Sequence, residues 1–187
     1  INALSSSEAD PRSVRIGARD YDQSRIASEV RIDYRPTDDF SAVISGGYNS
    51  ASTIEMTTLG AGLSDGWVSG YYQARLAYKD LFIQAYKNWT DAGDSFFLRE
   101  GGTLTDKSDL TVLQLQHAYK LTENQQFIYG TDALFTRPNT GGSINGANED
   151  DDNINELGVY LQSETSLSDM LSIVFAGRYD KHNRMPD

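Results

Sequence analysis

Three groups of residues carry side chains that could bind or react. The densest is Asn148-Glu149-Asp150-Asp151-Asp152-Asn153. Asp150, Asp151 and Asp152 offer hard carboxylate oxygens of the kind that hold calcium or another divalent cation. The spaced D-x-D-x-D-G layout with a distal glutamate is missing, so a solvated loop tip is the stronger expectation. The second group, Phe96, Phe97 and Arg99, lies among Asp91, Asp94 and Glu100. Two adjacent aromatics beside a cation on a long loop could capture a small ligand, or could simply fold back over their own surroundings. The third is the pair of histidines, His117 and His182, far apart in a chain with no cysteine. That rules out a disulfide framework, a thiolate metal site and a catalytic thiol. No Ser/His/Asp set or carboxylate pair can be argued, and Gly60-Ala61-Gly62 lacks the helix and the GK[ST] ending of a phosphate loop. The sequence reads as a protein without enzymatic activity and without a cofactor.

The elements that must position these residues set the function class. With 16 Lys and Arg against 27 Asp and Glu, the 187-residue chain has a formal charge of −11. General nucleic-acid binding is excluded, because no basic excess exists to displace counterions from phosphates. No stretch approaches the roughly 18 apolar residues of a transmembrane helix. The low mean hydropathy does not exclude a membrane, since a membrane β-barrel is half polar by construction.

Helical periodicity is nearly absent and period-two alternation recurs along the chain, which is the strand signal. Val68, Gly70, Tyr72, Ala74, Leu76 and Tyr78 share one face, opposed by Ser69, Tyr71, Gln73 and Arg75. Ile26 to Tyr34 sets Ile26, Val30 and Ile32 against Glu29, Arg31 and Asp33. Similar splits run through Phe40–Tyr48, Leu113–Lys120, Phe127–Phe135, Leu157–Glu164 and Leu171–Tyr179. Leu81–Trp89 also alternates, with Lys87 on its more apolar parity, and Val14–Tyr21 is a weaker run. The count is about eight or nine strands.

Between the strands, short polar turns (Pro36–Asp39, Lys79–Asp80, Leu121–Gln125, Ser166–Met170) alternate with long Gly- and Asp-rich loops (Asn49–Gly66, Asp91–Lys107, Pro138–Asn153). Short turns at one end and long loops at the other is the layout of an antiparallel up-and-down transmembrane β-barrel. In lipid every backbone group must be paired, so outward side chains must be apolar, with aromatics at the two interfaces. Tyr34, Phe40, Tyr78 and Phe127 fit one girdle; Tyr48, Trp67, Trp89 and Phe135 are expected in the other. The inward set is then Glu29, Arg31, Asp33, Arg75 and Gln114. Two other readings remain open: a complete small eight-stranded outer-membrane barrel with a structural or adhesive role, and a soluble β-sandwich binding module.

Several stretches carry a more specific likeness: Tyr72-Gln73-Ala74-Arg75-Leu76-Ala77-Tyr78-Lys79-Asp80-Leu81-Phe82, Asp91–Arg99, Tyr129–Pro138, Asn155–Glu164 and Phe175–His182, the last with its Arg178-Tyr179-Asp180 triplet. Together they resemble the barrel of a TonB-dependent outer-membrane receptor. The resemblance implies a bacterial outer-membrane location and uptake of a scarce small nutrient, such as an iron chelate, a cobalamin or an oligosaccharide. It also implies a plug domain inside the barrel, an energy-transducing TonB complex and contact with lipid and lipopolysaccharide. No plug-like segment is recognisable, and the family barrel has 22 strands. Residues 1–187 are therefore expected to be part of the barrel domain, with the plug and the remaining strands outside them.

Overall fold

The computed structural model describes residues 22–57, 60–99, 101–144 and 151–184, and contains nine β-strands and no α-helix among them. In chain order these are β1 (Ser24–Thr37), β2 (Phe40–Thr57), β3 (Gly60–Tyr78), β4 (Leu81–Asp91), β5 (Phe96–Phe97), β6 (Asp109–Thr122), β7 (Gln125–Arg137), β8 (Ile154–Ser168) and β9 (Leu171–His182). All belong to one antiparallel sheet ordered β1-β2-β3-β4-β6-β7-β8-β9, with β5 paired to β3 off this path. Each long strand lies beside its neighbours in sequence, as in an up-and-down barrel wall. The expected strand over Val14–Tyr21 lies outside the described residues.

Four two-residue connections close one end: Asp38-Asp39, Lys79-Asp80, Glu123-Asn124 and Asp169-Met170. Lys79-Asp80 is the turn the sequence predicts, and the other three are tighter than the predicted segments. Three of the turns also brace the sheet, because each passes a carbonyl to the next hairpin. Lys79 N donates to Asp39 O at 2.8 Å, Ala118 N to Asp80 O at 2.9 Å and Ser166 N to Asn124 O at 2.8 Å. Lys79 has φ of 52°, the single non-glycine residue in the left-handed region among those described.

The register keeps the two parities apart across the whole sheet. One row of neighbours reads Ile32, Ile44, Ala74, Ala85, Leu113, Ala133 and Leu157. The next row, one residue along, reads Asp33, Val43, Arg75, Gln84, Gln114, Asp132, Gly158 and Asp180. A one-residue slip anywhere would exchange the faces, so the alternation itself fixes the register. The apolar face lies bare, with Ile32 62 %, Ile44 63 % and Phe175 71 % exposed. Lys87 belongs to this face and reaches Asp109 at 3.2 Å. His117, also here, meets the Tyr129 hydroxyl through Nδ1 at 2.9 Å.

Aromatic rings on both faces cover glycines of the adjoining strand. Tyr71 lies over its register partner Gly47, Tyr160 over Gly130 and Trp89 over Gly70. A Cβ at any of these glycines would strike the ring.

The long-loop end differs from the sequence expectation. Much of Asn49–Gly66 is ladder: β2 and β3 stay paired through Thr53↔Ser64 and Glu55↔Gly62 to Thr57↔Gly60. Strands of 18 and 19 residues result, well beyond the nine to eleven that cross a bilayer.

Candidate functional site

Two features of the fold bring functional side chains together: the polar face of the wall, and the mouth where the long loops meet.

Glu29, Arg31, Asp33, Arg75 and Gln114 all fall on the polar face, as the sequence predicts. Arg31 donates two hydrogen bonds to the Asp33 carboxylate, at 2.7 and 2.9 Å. Arg75 Nε donates to Gln84 Oε1 at 3.0 Å, and Gln84 Nε2 donates onward to Gln114 Oε1 at 2.9 Å. The chain of donors thus crosses β3, β4 and β6. Register partners stand close enough for side chains to join in this way.

A second cluster on this face escapes a reading of single strands. Arg178 on β9 forks onto Asp132 of β7 with bonds of 2.8 and 2.7 Å, and its Nε holds Asp180 at 2.8 Å. To do so the guanidinium passes over β8, where Gly158 leaves the room; a Cβ there would collide with Arg178 and both carboxylates. The Arg-Tyr-Asp triplet marks two of these residues in the sequence. Asp132 is legible only through the register, which puts it beside Gly158 and so two strands from Asp180.

The mouth is built from three segments. The β2–β3 extension forms its base. The segment after β4 folds onto it: Phe96 and Phe97 pair with Leu63 and Gly62 as β5, and Leu98 N donates to Ala61 O at 2.9 Å. Gly93, with φ of 60°, lets this segment press against Asp65 and Gly66, where a side chain would meet backbone oxygens. Ser95 is fully buried at 0 % exposure. Its Oγ accepts from Asp65 N at 3.0 Å and donates to Ala92 O, so one hydroxyl ties loop to hairpin. The third segment follows β7: Thr105 N donates to Ser143 Oγ at 3.0 Å, and Lys107 N to Asn139 O at 2.7 Å. Leu63, Ala92, Leu98 and Leu104 are buried where these segments meet.

Beside this small core opens a cavity of about 400 Å³. Trp67, Phe97, Leu104 and Ile144 give it apolar walls, and Asn49, Glu55, Ser64 and Ser69 supply polar groups. Trp67 corrects an expectation. It is paired with Ala51 and shares the parity of Ser69 and Tyr71, so it stands on the polar face and not in the outer girdle. Tyr48 and Trp89 keep their places on the apolar face, with ring centroids 6.5 Å apart.

The expected ligand-capture residues part company. Phe97 lines the cavity, Phe96 lies opposite Leu63 in the pairing to β3, and Arg99 is exposed outside the lining. Of the acidic run, Asp150 lies outside the described residues, Asp151 is fully exposed 3.6 Å from Arg184, and Asp152 is partly buried. Among the described residues no three His, Asp or Glu side chains group so as to hold a metal ion. Sequence reasoning missed Glu55, Asn49 and Ser69, which come from two strands joined by the extended hairpin.

Among the described residues no helix is long and apolar enough to cross a membrane, which says nothing of strands. Comparison with curated proteins and with solved structures finds no match. A family model described as TonB dependent receptor-like, beta-barrel matches residues 3–187. Nearly the whole chain is covered, and its open antiparallel wall has the sidedness such a barrel requires: the chain belongs to the TonB-dependent receptor-like β-barrel family.

Proposed function

We propose that this chain forms part of the wall and mouth of an outer-membrane transporter that takes up a scarce small nutrient by energised passage into the periplasm. The family is one of outer-membrane transport. The observation that supports this chain's part in it is the division of the sheet into a bare, mainly apolar face and a hydrogen-bonded polar face. The apolar face meets lipid, because only paired backbone and apolar side chains are tolerated there. Glu29, Arg31, Asp33, Arg75 and Gln114 then face the lumen, toward water or a plug domain carried by the same protein. Phe97 belongs to the ligand-gathering mouth. Lipopolysaccharide surrounds the loop end, and a TonB complex drives transport. Residues 1–187 make up a portion of the barrel domain.

Two observations weigh against the other readings. Strands β1 and β9 do not pair with each other, unlike the first and last strands of a closed eight-stranded barrel. Leu115 and Val159 lie 40 % and 46 % exposed on one face of one sheet, where a sandwich would bury them against a second.

The test is uptake by cells carrying the full-length protein, with and without a working TonB complex, using labelled ferric chelates, cobalamin and oligosaccharides. Accumulation of one class that requires both the protein and TonB is expected. Accumulation indifferent to TonB overturns the reading.

A further inference from the structure

We infer that the cavity at the mouth is a saccharide subsite, in which the apolar face of a neutral sugar ring lies against Trp67 and Phe97 while its hydroxyls meet Glu55, Asn49 and Ser69. This rests on the transporter reading and narrows its substrate class.

Four observations carry it. First, the cavity, at about 400 Å³, falls in the range of small-molecule sites, which pair apolar walls with a few placed polar groups. Second, Trp67 departs from the outer girdle to stand on the polar face, half-buried at the cavity wall. Indole is the largest flat apolar surface a side chain offers, and it carries a polar N–H at its edge. Third, the second aromatic of the lining is fixed: Phe97 is held in β5 by its pairing with Gly62 and by its N–H bond to Gly102 O at 2.8 Å. An aromatic lining fixed by the backbone in this way suits a rigid ring and loses little entropy on binding.

Fourth, the charge of the lining selects among ligands. Glu55 is the single charged residue lining the cavity among those described, and neither Lys nor Arg does so. Arg25 comes near through Nε, 3.0 Å from Asn49 Oδ1, and leaves the Asn49 amide donors directed elsewhere. Anionic ligands, ferric chelates of carboxylates or catecholates among them, would meet a carboxylate and no cation in the described lining. A neutral polyol supplies the donor that Glu55 accepts and the acceptors that the amide and serine hydroxyls require. A simple ammonium ligand would use the carboxylate and the aromatics, and would leave Asn49, Ser64 and Ser69 without a task.

The test uses the full-length protein in detergent, applied to an array of neutral mono- to hexasaccharides, with the strongest binder then followed by calorimetry. Tetramethylammonium chloride and a ferric catecholate serve as cationic and anionic probes. Expected is binding of a saccharide that weakens at least ten-fold in Trp67→Ala and several-fold in Glu55→Gln, with Trp89→Phe unchanged. Trp67→Phe, which keeps a ring, should recover part of the loss and guards against misfolding of the alanine variant. An array with no binder overturns the inference, as does saccharide binding indifferent to Trp67. Tighter binding of either ionic probe, lost in Glu55→Gln or in Trp67→Ala, also overturns it. These equilibrium measurements need no TonB: energised uptake of a non-saccharide by Trp67→Ala cells would sink the subsite and leave the transporter reading standing.

Discussion

The wall and the mouth are built by opposite rules. In the wall, from the two-residue turns up to about Trp89 and Asp109, Val43 and Val112 are the buried apolar side chains among the described residues, and they form no joint core. The large aliphatic side chains of one face lie bare, and the polar face is held by hydrogen bonds such as Gln84 to Gln114. At the mouth the order is that of a small soluble domain, with Leu63, Ala92, Leu98 and Leu104 buried together and the Ser95 hydroxyl sealed among them. The difference reflects the solvent each region is made for. Lipid supplies apolar surroundings to the wall from outside, so the chain need not supply them from within. Above the bilayer, water removes that option, and the segments can stay ordered only by packing on one another.

Four experiments would break or sharpen this contrast. The largest effect is expected for Leu113→Arg, which puts a charge on the bare face at mid-height of β6. It should cost about 2–4 kcal/mol of stability in lipid vesicles, measured by urea unfolding, because charges near the bilayer midplane are penalised on that scale. Gln114→Arg, one residue away on the other face, should cost far less; equal losses would mean that the two faces have been exchanged. Next comes Gly93→Ala at the mouth. A left-handed backbone and a collision with Asp65 and Gly66 oxygens should cost about 3 kcal/mol locally. Limited proteolysis should then cut between Leu98 and Ser108, with the wall still folded. Uniform unfolding instead would show that mouth and wall form one cooperative unit.

Ser95→Ala removes the acceptor for Asp65 N, and a part-buried donor left unpaired costs about 1 kcal/mol. Faster hydrogen exchange at Asp65, without change in the β6–β7 ladder, is the expected signature. The smallest effect belongs to the wall's ion cluster. Arg178 is 45 % exposed and Asp132 26 %, so a double-mutant cycle with Asp132→Ala and Arg178→Ala should return a coupling of about 1 kcal/mol or less. Raising the salt should shrink it, and a larger, salt-insensitive value would mean that the polar face is drier than an open wall allows.

The same contrast explains what the sequence let one read. Alternation located every long strand of the wall and the face of every expected inward residue, because a bilayer demands apolar side chains at every second position. It lapsed at Asn49-Ser50-Ala51-Ser52-Thr53, although β2 continues there in ladder to Thr57. Above the bilayer neither face has to be apolar, so the backbone pairing persists while its sequence signature fades. Trp67 was misplaced for a related reason. Proximity to a long loop suggested a girdle, whereas its odd parity, shared with Ser69, decides its face. Phe97 was legible as an exposed aromatic on a loop. Glu55 and Asn49 were not, because only the unpredicted hairpin extension lifts them beside it. Asp132 and Arg178 lie 46 positions apart and meet only across an intervening strand whose residue is glycine.

The rings laid over glycines have a consequence for how this wall can drift in sequence. Gly47 with Tyr71 and Gly70 with Trp89 each behave as one unit divided between two strands. A mutation that enlarges the glycine strikes a ring, and one that shrinks the ring bares a patch of backbone. Neither half has a neutral step of its own. Across descendants of this chain the two members of each pair should be replaced together or not at all, and the strand register is thereby inherited along with them.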